Sequence, residues 1–133
     1  MLDTAMYFII TDSRTDKIRQ SDIADRHISI PALVDENDKE SLEFKQWNFY
    51  NNWLASTIGK SLLILEFGVS FSNPNLIRWP FERICMINNR AKMIRINAEF
   101  EQISAEIAGK AIGIKENPHN WLCNFLQNLE ITA

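Results

Sequence analysis

The chain has 133 residues, of which 46% are hydrophobic, which is enough apolar material for one small core. A formal net charge of −3 and the lack of any Lys/Arg-rich run exclude the basic surface that nucleic-acid binding needs. No apolar stretch approaches the roughly 20 residues of a membrane span, and the start lacks the basic flank of a secretion signal. We therefore expect a single cytoplasmic domain over residues 1–133, with neither a membrane nor a nucleic acid as partner.

The first predicted element is a buried parallel strand over residues 5–11, a continuous run rich in aromatic and β-branched side chains. The polar cluster over residues 11–16 would then lie at the carboxyl end of this strand, where ligands bind in parallel sheets. An ordinary turn with a helix cap is the alternative. Residues 17–39 contain Pro31 and an acidic run, so we expect an irregular loop there.

The main prediction is a buried central strand of a parallel sheet over residues 62–67, preceded by a helix over residues 40–57 that should cover the sheet. Because the apolar run 62–67 does not alternate, we expect helices on both faces of this strand. Gly68 falls at its carboxyl end, where a residue without a Cβ lets a phosphate or a ribose approach the backbone. A simple chain turn at Gly68 is the alternative.

Helices and strands continue to alternate through the rest of the chain, which is the pattern of a parallel α/β sheet. The predicted elements are a helix from about Pro80 to Asn89, a strand over residues 92–97 that ends in Asn97, a brief helix before Gly109, an edge strand over residues 111–114, and a last helix that begins at Asn117-Pro118 and carries an apolar face.

Cys85 and Cys123 both fall in apolar stretches with helical spacing, and no CxxC pair occurs. We interpret both as buried core thiols, because free cysteine is among the most buried residue types. We expect neither a disulfide nor a metal site.

Three segments follow one another in an order that resembles the carboxyl half of a sirtuin, across roughly residues 44–126. They are LLILEFGVSFSNP (62–74), IRWPFE (77–82) and IRIN (94–97). The similarity is greatest to the bacterial sirtuin branch linked to macrodomain operons. It implies a Rossmann-like parallel sheet with flanking helices, truncated to half of a sirtuin-type domain.

In that family, the loop after the long strand and the Asn that ends the next strand hold the adenosine and phosphate parts of NAD. The resemblance therefore implies cofactor contacts from Gly68, Val69, Ser70 and Asn97. Such contacts are physically sensible, because backbone N–H groups at a strand-to-helix junction attract phosphate and an Asn side chain can both donate to and accept from ribose hydroxyls.

Residues 7–11 resemble the strand before the family's TxNxD motif, whose Asn and Asp contact the nicotinamide end of NAD. The chain reads TDSRTD over residues 11–16, so the resemblance carries over only Thr11 and Asp16.

Several parts of the family pattern have no counterpart in these 133 residues. The glycine-rich segment that binds pyrophosphate would precede residue 1, and the zinc ribbon and the catalytic histidine would fall in a region that residues 17–39 are too short to contain. His27 is the one nearby candidate for a catalytic histidine, but it lacks the family's HG pattern, so we prefer its interpretation as a solvated loop residue. We interpret His119 as a capping or surface residue.

The family reaction is NAD-dependent removal of acyl groups from lysine (a deacylase) or transfer of ADP-ribose (an ADP-ribosyltransferase). We expect a sirtuin-like fragment or divergent member that binds NAD or ADP-ribose weakly and is inactive alone. The alternative is a non-catalytic protein-interaction module that retains the Rossmann-like fold. In either case the missing strands would leave a sheet edge for a protein partner or a second copy to cover.

Overall fold

The computed structural model describes residues 6–132, and their side chains as far as Leu129. Within this range the fold is mixed α/β, with three α-helices and two parallel sheets. The chain divides into two compact units, Met1–Ile58 and Gly59–Ala133, which are described separately. The single domain over residues 1–133 stays a prediction. None of the described helices has the length and apolar character needed to cross a membrane.

The first unit contains strands β1 (Ile9–Ile10) and β2 (Ile28–Ser29) and helix α1 (Leu42–Ser56). The strands pair in parallel, with Ile9 opposite Ile28. Helix α1 confirms the helix predicted over residues 40–57, and the Ser41 hydroxyl caps it by accepting a hydrogen bond from the Phe44 N–H at 3.3 Å. The strand predicted over residues 5–11 is shortened to two residues, and residue 5 lies outside the described range.

The segment over residues 17–39 has more structure than the predicted irregular loop. It forms strand β2 and the short 3₁₀ helices Lys17–Gln20, Asp25–His27 and Pro31–Leu33. Arg19 forms ion pairs with Asp25 and with Glu43 of α1, and the hydrogen bond to Glu43 is the main reason that the pKa of Arg19 is raised. The buried Gln46 of α1 donates to the Ile28 carbonyl at 3.1 Å. Polar contacts with α1, together with the full burial of Ile28 and Ile30, thus order this segment.

The second unit is a three-stranded parallel sheet with two α-helices and one 3₁₀ helix. Its elements are β3 (Leu62–Phe67), α2 (Arg78–Ile87), β4 (Ala91–Asn97), the 3₁₀ helix Ala105–Ile107, β5 (Ala111–Lys115) and α3 (Pro118–Thr132). The strand order is β3-β4-β5. Leu65 pairs with Ile94, and Ile94 pairs with Ile112. The three predicted strands and their parallel pairing are confirmed, as is the edge position of β5.

The prediction that β3 is a central strand with both faces covered is wrong. The central strand is β4, and β3 lies at one edge of the sheet. Ile64 and Glu66 of β3 are buried, whereas Leu63, Leu65 and Phe67 on its other face are 58%, 44% and 38% exposed. The core lies on the first of these faces, where Ile64 packs with Cys85, Met93 and Ile107, and with the partly buried Phe81 and Ile84.

Helix α2 begins at Arg78, two residues earlier than predicted. Pro80 is accommodated because it lies in the first turn, where no N–H is needed for an intrahelical bond. Just before Pro80, the Trp79 N–H donates to the Pro74 carbonyl at 2.9 Å, which closes a turn over residues 74–79.

Helix α3 starts at the predicted cap, where the Asn117 side chain accepts a hydrogen bond from the Asn120 N–H at 3.1 Å. The ring of Trp121 stacks on Phe125 and contacts Phe67 of β3. Cys123 is exposed, so its interpretation as a core thiol is wrong, whereas Cys85 is buried as predicted. Helical spacing identified an apolar stretch but not which of its residues the sheet covers.

Gly113 of β5 is required by a close backbone approach. A Cβ built at this position would overlap the carbonyl oxygen of Glu101 and lie 3.1 Å from the carbonyl carbon. Gly109 offers a matched comparison, because a Cβ there has no heavy atom within 4 Å.

We expect Gly113→Ala to lower the free energy of unfolding by about 2 kcal/mol or more, since backbone atoms must move to relieve the overlap. Gly109→Ala should leave it unchanged or raise it by up to about 1 kcal/mol. Urea unfolding followed by tryptophan fluorescence measures both. Equal effects of the two substitutions would contradict the close approach.

A second prediction concerns alkaline pH. Burial in the first unit raises the pKa of Tyr50 from 10.0 to about 12, so the unfolded chain loses this proton before the folded one does. The stabilisation is complete below pH 10 and is lost as the pH rises toward 12. Relative to Tyr50→Phe, the native protein should lose about 1 kcal/mol of unfolding free energy between pH 9 and pH 11. A difference between the two proteins that does not change with pH in urea titrations would refute this.

Candidate functional site

The candidate site is the carboxyl edge of the β3-β4-β5 sheet. Since the three strands are parallel, the loops that follow Phe67, Asn97 and Lys115 all leave the sheet at this edge. In open α/β sheets, this is the edge at which ligands bind. The structure thus brings together the cofactor residues predicted in this unit, Gly68, Val69, Ser70 and Asn97.

Gly68 has a local structural requirement of its own. Its φ of +61° is a left-handed conformation that other residues adopt at a cost, and its N–H donates to the Ile96 carbonyl at 2.8 Å. A Cβ at this position would lie 3.1 Å from Cγ of Pro118, the first residue of α3. Glycine therefore allows both the turn out of β3 and the close contact with α3. Whether a ligand also uses Gly68 stays a prediction.

Asn97 ties two loops of the edge together. Its Nδ2 donates to the Val69 carbonyl at 2.9 Å, while its Oδ1 accepts from the N–H groups of Glu99 and Phe100 at 3.0 and 2.9 Å. Val69 and Asn97 are both buried. Both lone pairs of the amide oxygen are occupied by these two N–H groups. The second N–H of Nδ2 is therefore the one group of the Asn97 side chain that could bind a ligand.

Ser70 and Ser72 supply exposed hydroxyls at the same edge. The two Oγ atoms are 2.8 Å apart, and both residues are exposed. Between them lies Phe71, whose ring is 43% exposed and contacts Trp79, which is 47% exposed. Hydroxyls beside half-exposed aromatic rings suit a ligand that combines a sugar or phosphate with a planar base.

A buried ion pair lies under the edge. Arg95 of β4 donates to both carboxylate oxygens of Glu66 of β3, at 2.9 and 3.0 Å, and both residues are almost fully buried. Its Nη1 also donates to Glu82 of α2 at 2.9 Å and to the Gln102 carbonyl at 2.6 Å. The pair thereby fixes β3, α2 and the loop after β4 to one another.

Arg78 fixes the same loop from the start of α2. Its guanidinium donates to the carbonyls of Phe100 and Gln102 at 2.7 and 3.1 Å, and it lies 4.7 Å from the centre of the Phe71 ring. Burial, and after it the positive charge of Arg95, lowers the pKa of Arg78. Arg78 therefore contacts both the loop after β3, which contains Phe71, and the loop after β4, which begins after Asn97.

Sequence reasoning missed the arginine and glutamate residues of this cluster. The available signal was Glu66 itself, a carboxylate inside an apolar run, since a buried carboxylate requires a partner. Arg95, in the middle of β4, was the cation that could supply it.

The remaining predicted site residues, Thr11, Asp16 and His27, lie in the first unit. The Thr11 hydroxyl accepts from the Ser13 N–H at 3.1 Å, which is the ordinary turn that the sequence left open as an alternative. The Asp16 carbonyl accepts from the Arg19 N–H at 2.9 Å, and its side chain makes no capping hydrogen bond to the 3₁₀ helix that follows. Their cofactor roles stay predictions.

His27 is more enclosed than a solvated loop histidine. Its ring stacks on Tyr7 with the centroids 4.1 Å apart, and Nδ1 lies 3.0 Å from the Tyr7 carbonyl oxygen. Because a carbonyl only accepts, Nδ1 carries the proton, and in the neutral ring Nε2 is then the acceptor. These contacts give His27 a structural role beside β2, and its catalytic role stays a prediction.

No group of three or more His, Cys, Asp or Glu side chains is positioned to hold a metal ion within the part of the chain that the structure describes. The sequence matches no family model and no curated protein. The similarity to sirtuins therefore rests on the three segments quoted above, residues 62–74, 77–82 and 94–97.

The role of Asn97 can be tested with two substitutions. Asn97→Ala removes all three hydrogen bonds and should lower the free energy of unfolding by about 2–4 kcal/mol. It should also accelerate hydrogen exchange at the N–H groups of Glu99 and Phe100. Asn97→Asp retains both acceptor bonds, so exchange at these two amides should stay slow while the bond to Val69 is lost. NMR-detected exchange separates the two cases, and unchanged exchange in Asn97→Ala would contradict the assignment.

Proposed function

We propose that residues 59–133 form half of a Rossmann-like, sirtuin-type domain that binds the adenosine end of NAD or ADP-ribose weakly. On this proposal the 133-residue chain is related to NAD-dependent deacylases and ADP-ribosyltransferases but is inactive by itself. The proposal combines the three matching segments with the arrangement of the sheet edge.

The observation that carries the proposal is the link that Asn97 makes between the loops after β3 and β4. Its bond to Val69, at 2.9 Å, holds the β3 loop against the end of β4. Because both loops are fixed before a ligand arrives, little ordering entropy is lost on binding. The exposed hydroxyls of Ser70 and Ser72 then suit ribose or phosphate oxygens, and the Phe71 ring suits the adenine base.

Weak affinity follows from the charges around the edge. Arg78 and Arg95 are buried and already occupied by carbonyl and carboxylate oxygens, so they cannot turn to a phosphate without breaking the loop contacts. The sequence also contains only four glycines and no glycine-rich run that could cradle a pyrophosphate. Losing such contacts costs several kcal/mol, which leaves binding at roughly millimolar strength.

A second candidate function is a protein-interaction module, which the exposed face of the sheet favours. Leu63 and Leu65 of β3 and Ile112 of β5, which is 61% exposed, lie on the same face, because Ile94 pairs with both Leu65 and Ile112. A contiguous exposed apolar surface is typical of a site that binds another protein. This candidate requires no nucleotide.

Ligand-observed NMR with AMP, ADP-ribose and NAD distinguishes the two candidates. We expect all three ligands to bind at roughly equal, about millimolar strength, because the shared adenosine end makes the contacts. Ser70→Ala should weaken binding about threefold to tenfold, the effect of losing one hydrogen bond. Ser61→Ala is the matched control, since Ser61 is an exposed serine at the opposite end of β3 that is also hydrogen-bonded, to Arg90.

Two results would overturn the half-site. One is micromolar binding of NAD, and the other is release of nicotinamide that His27→Ala abolishes. If no nucleotide binds at all, the interaction module becomes the better account of the chain.

A further inference from the structure

Helix α3 carries an exposed thiol beside an imidazole. Sγ of Cys123 lies 3.6 Å from Nε2 of His119, within hydrogen-bonding range for sulfur. The two residues are four positions apart, and side chains at this spacing lie one above the other on the same face of a helix. Regular helix geometry thus produces the pairing without strain.

The position of His119 is fixed by the start of the helix. Asn117 caps α3 through its side chain, and its carbonyl accepts from the Trp121 N–H at 3.0 Å. His119 therefore lies in a well-formed first turn rather than a frayed end. Among the described side chains, which extend to Leu129, Cys123 is the one that lies within hydrogen-bonding range of the His119 ring.

The other thiol of the chain provides an internal comparison. Cys85 is fully buried in the core of the second unit, and this burial raises the pKa of its thiol. A thiol without access to solvent, held in its protonated form, is inert toward water-soluble reagents. Cys123 is instead exposed, and its sulfur lies beside an imidazole nitrogen.

We propose that Cys123 is a modification site that reacts with low-molecular-weight disulfides of the glutathione type. Nε2 of His119 accepts the thiol proton, and the thiolate attacks one sulfur of the disulfide. A new S–S bond forms at Cys123 as the old S–S bond breaks. The departing thiolate takes a proton from the imidazolium, so protons and electrons balance without any further reactant. Neither cysteine reactivity nor His119 is part of the proposed nucleotide site.

The test measures the rate of reaction with glutathione disulfide and with the chromogenic disulfide DTNB at pH 7, with the modified residue identified by mass spectrometry. In the native protein Cys123 should be modified and Cys85 should not. His119→Gln leaves the thiol exposed but removes the proton acceptor, so modification should be about tenfold slower. Asn120→Gln, an exposed change on the same turn, should leave the rate unchanged.

A double variant separates the position of the imidazole from its mere presence. His119→Gln with Asn124→His moves the ring next to Cys123 in sequence, where the two side chains do not face each other. Its rate should stay as slow as that of His119→Gln. Equal rates for the native protein and His119→Gln would overturn the proposal, as would modification of Cys85 in the folded chain. For each variant, the circular dichroism spectrum shows whether the helices are intact, and the absence of reaction at Cys85 shows whether the core is intact.

Discussion

The second unit depends on the buried ion pair between Glu66 and Arg95. Two charges removed from water are costly unless each finds partners in the interior. Here the carboxylate receives two N–H groups of one guanidinium, whose remaining donors reach Glu82 and the Gln102 carbonyl. Removing Arg95 would leave the Glu66 carboxylate without its two hydrogen bonds and with Arg78 4.0 Å away, and removing Glu66 would leave Arg95 with Glu82 as its carboxylate partner. Breaking a buried pair in this way costs about 3–5 kcal/mol. The pair joins two strands, one helix and one loop, which an apolar contact of the same size would not do with equal directionality.

The shape of the carboxyl edge follows from this cluster. Arg95 and Arg78 both hold the Gln102 carbonyl, and Asn97 holds the first residues of the same loop. The loop after β4 is thus held at Gln102 by the two arginines and at its start by Asn97. Asn97 also holds the loop after β3 through its hydrogen bond to the Val69 carbonyl. The buried Arg78 and Arg95 serve the scaffold, whereas the hydroxyls of Ser70 and Ser72 and the ring of Phe71 are exposed. The two guanidinium groups nearest these hydroxyls are therefore already bound within the protein, which is the physical basis for expecting weak binding of a nucleotide.

Each unit uses buried or partly buried polar groups to order its short elements. In the first unit, Arg19 and Gln46 connect the 3₁₀ turns and β2 to α1 in the way that Arg78 and Arg95 connect the loop to the sheet in the second. Apolar side chains remain exposed on β3 and α3 instead. The buried polar clusters hold the loop conformations, and the exposed apolar surfaces are the observation that favours the second candidate function, a protein-interaction module.

The sequence by itself determined the elements of the second unit, because the periodicity of apolar residues and the Asn-Pro cap of α3 are local signals. The resemblance to sirtuins grouped Gly68, Val69, Ser70 and Asn97 in one predicted site, and parallel strands do place their carboxyl ends at one edge. Only the tertiary structure decided that β4 is central, that β2 pairs with β1, and that Cys123 is exposed. It alone showed Asn97 bound to backbone groups and Glu66 paired with Arg95. These features depend on which distant residues become neighbours, and 29 positions separate Glu66 from Arg95, so no local pattern in the chain contains that information.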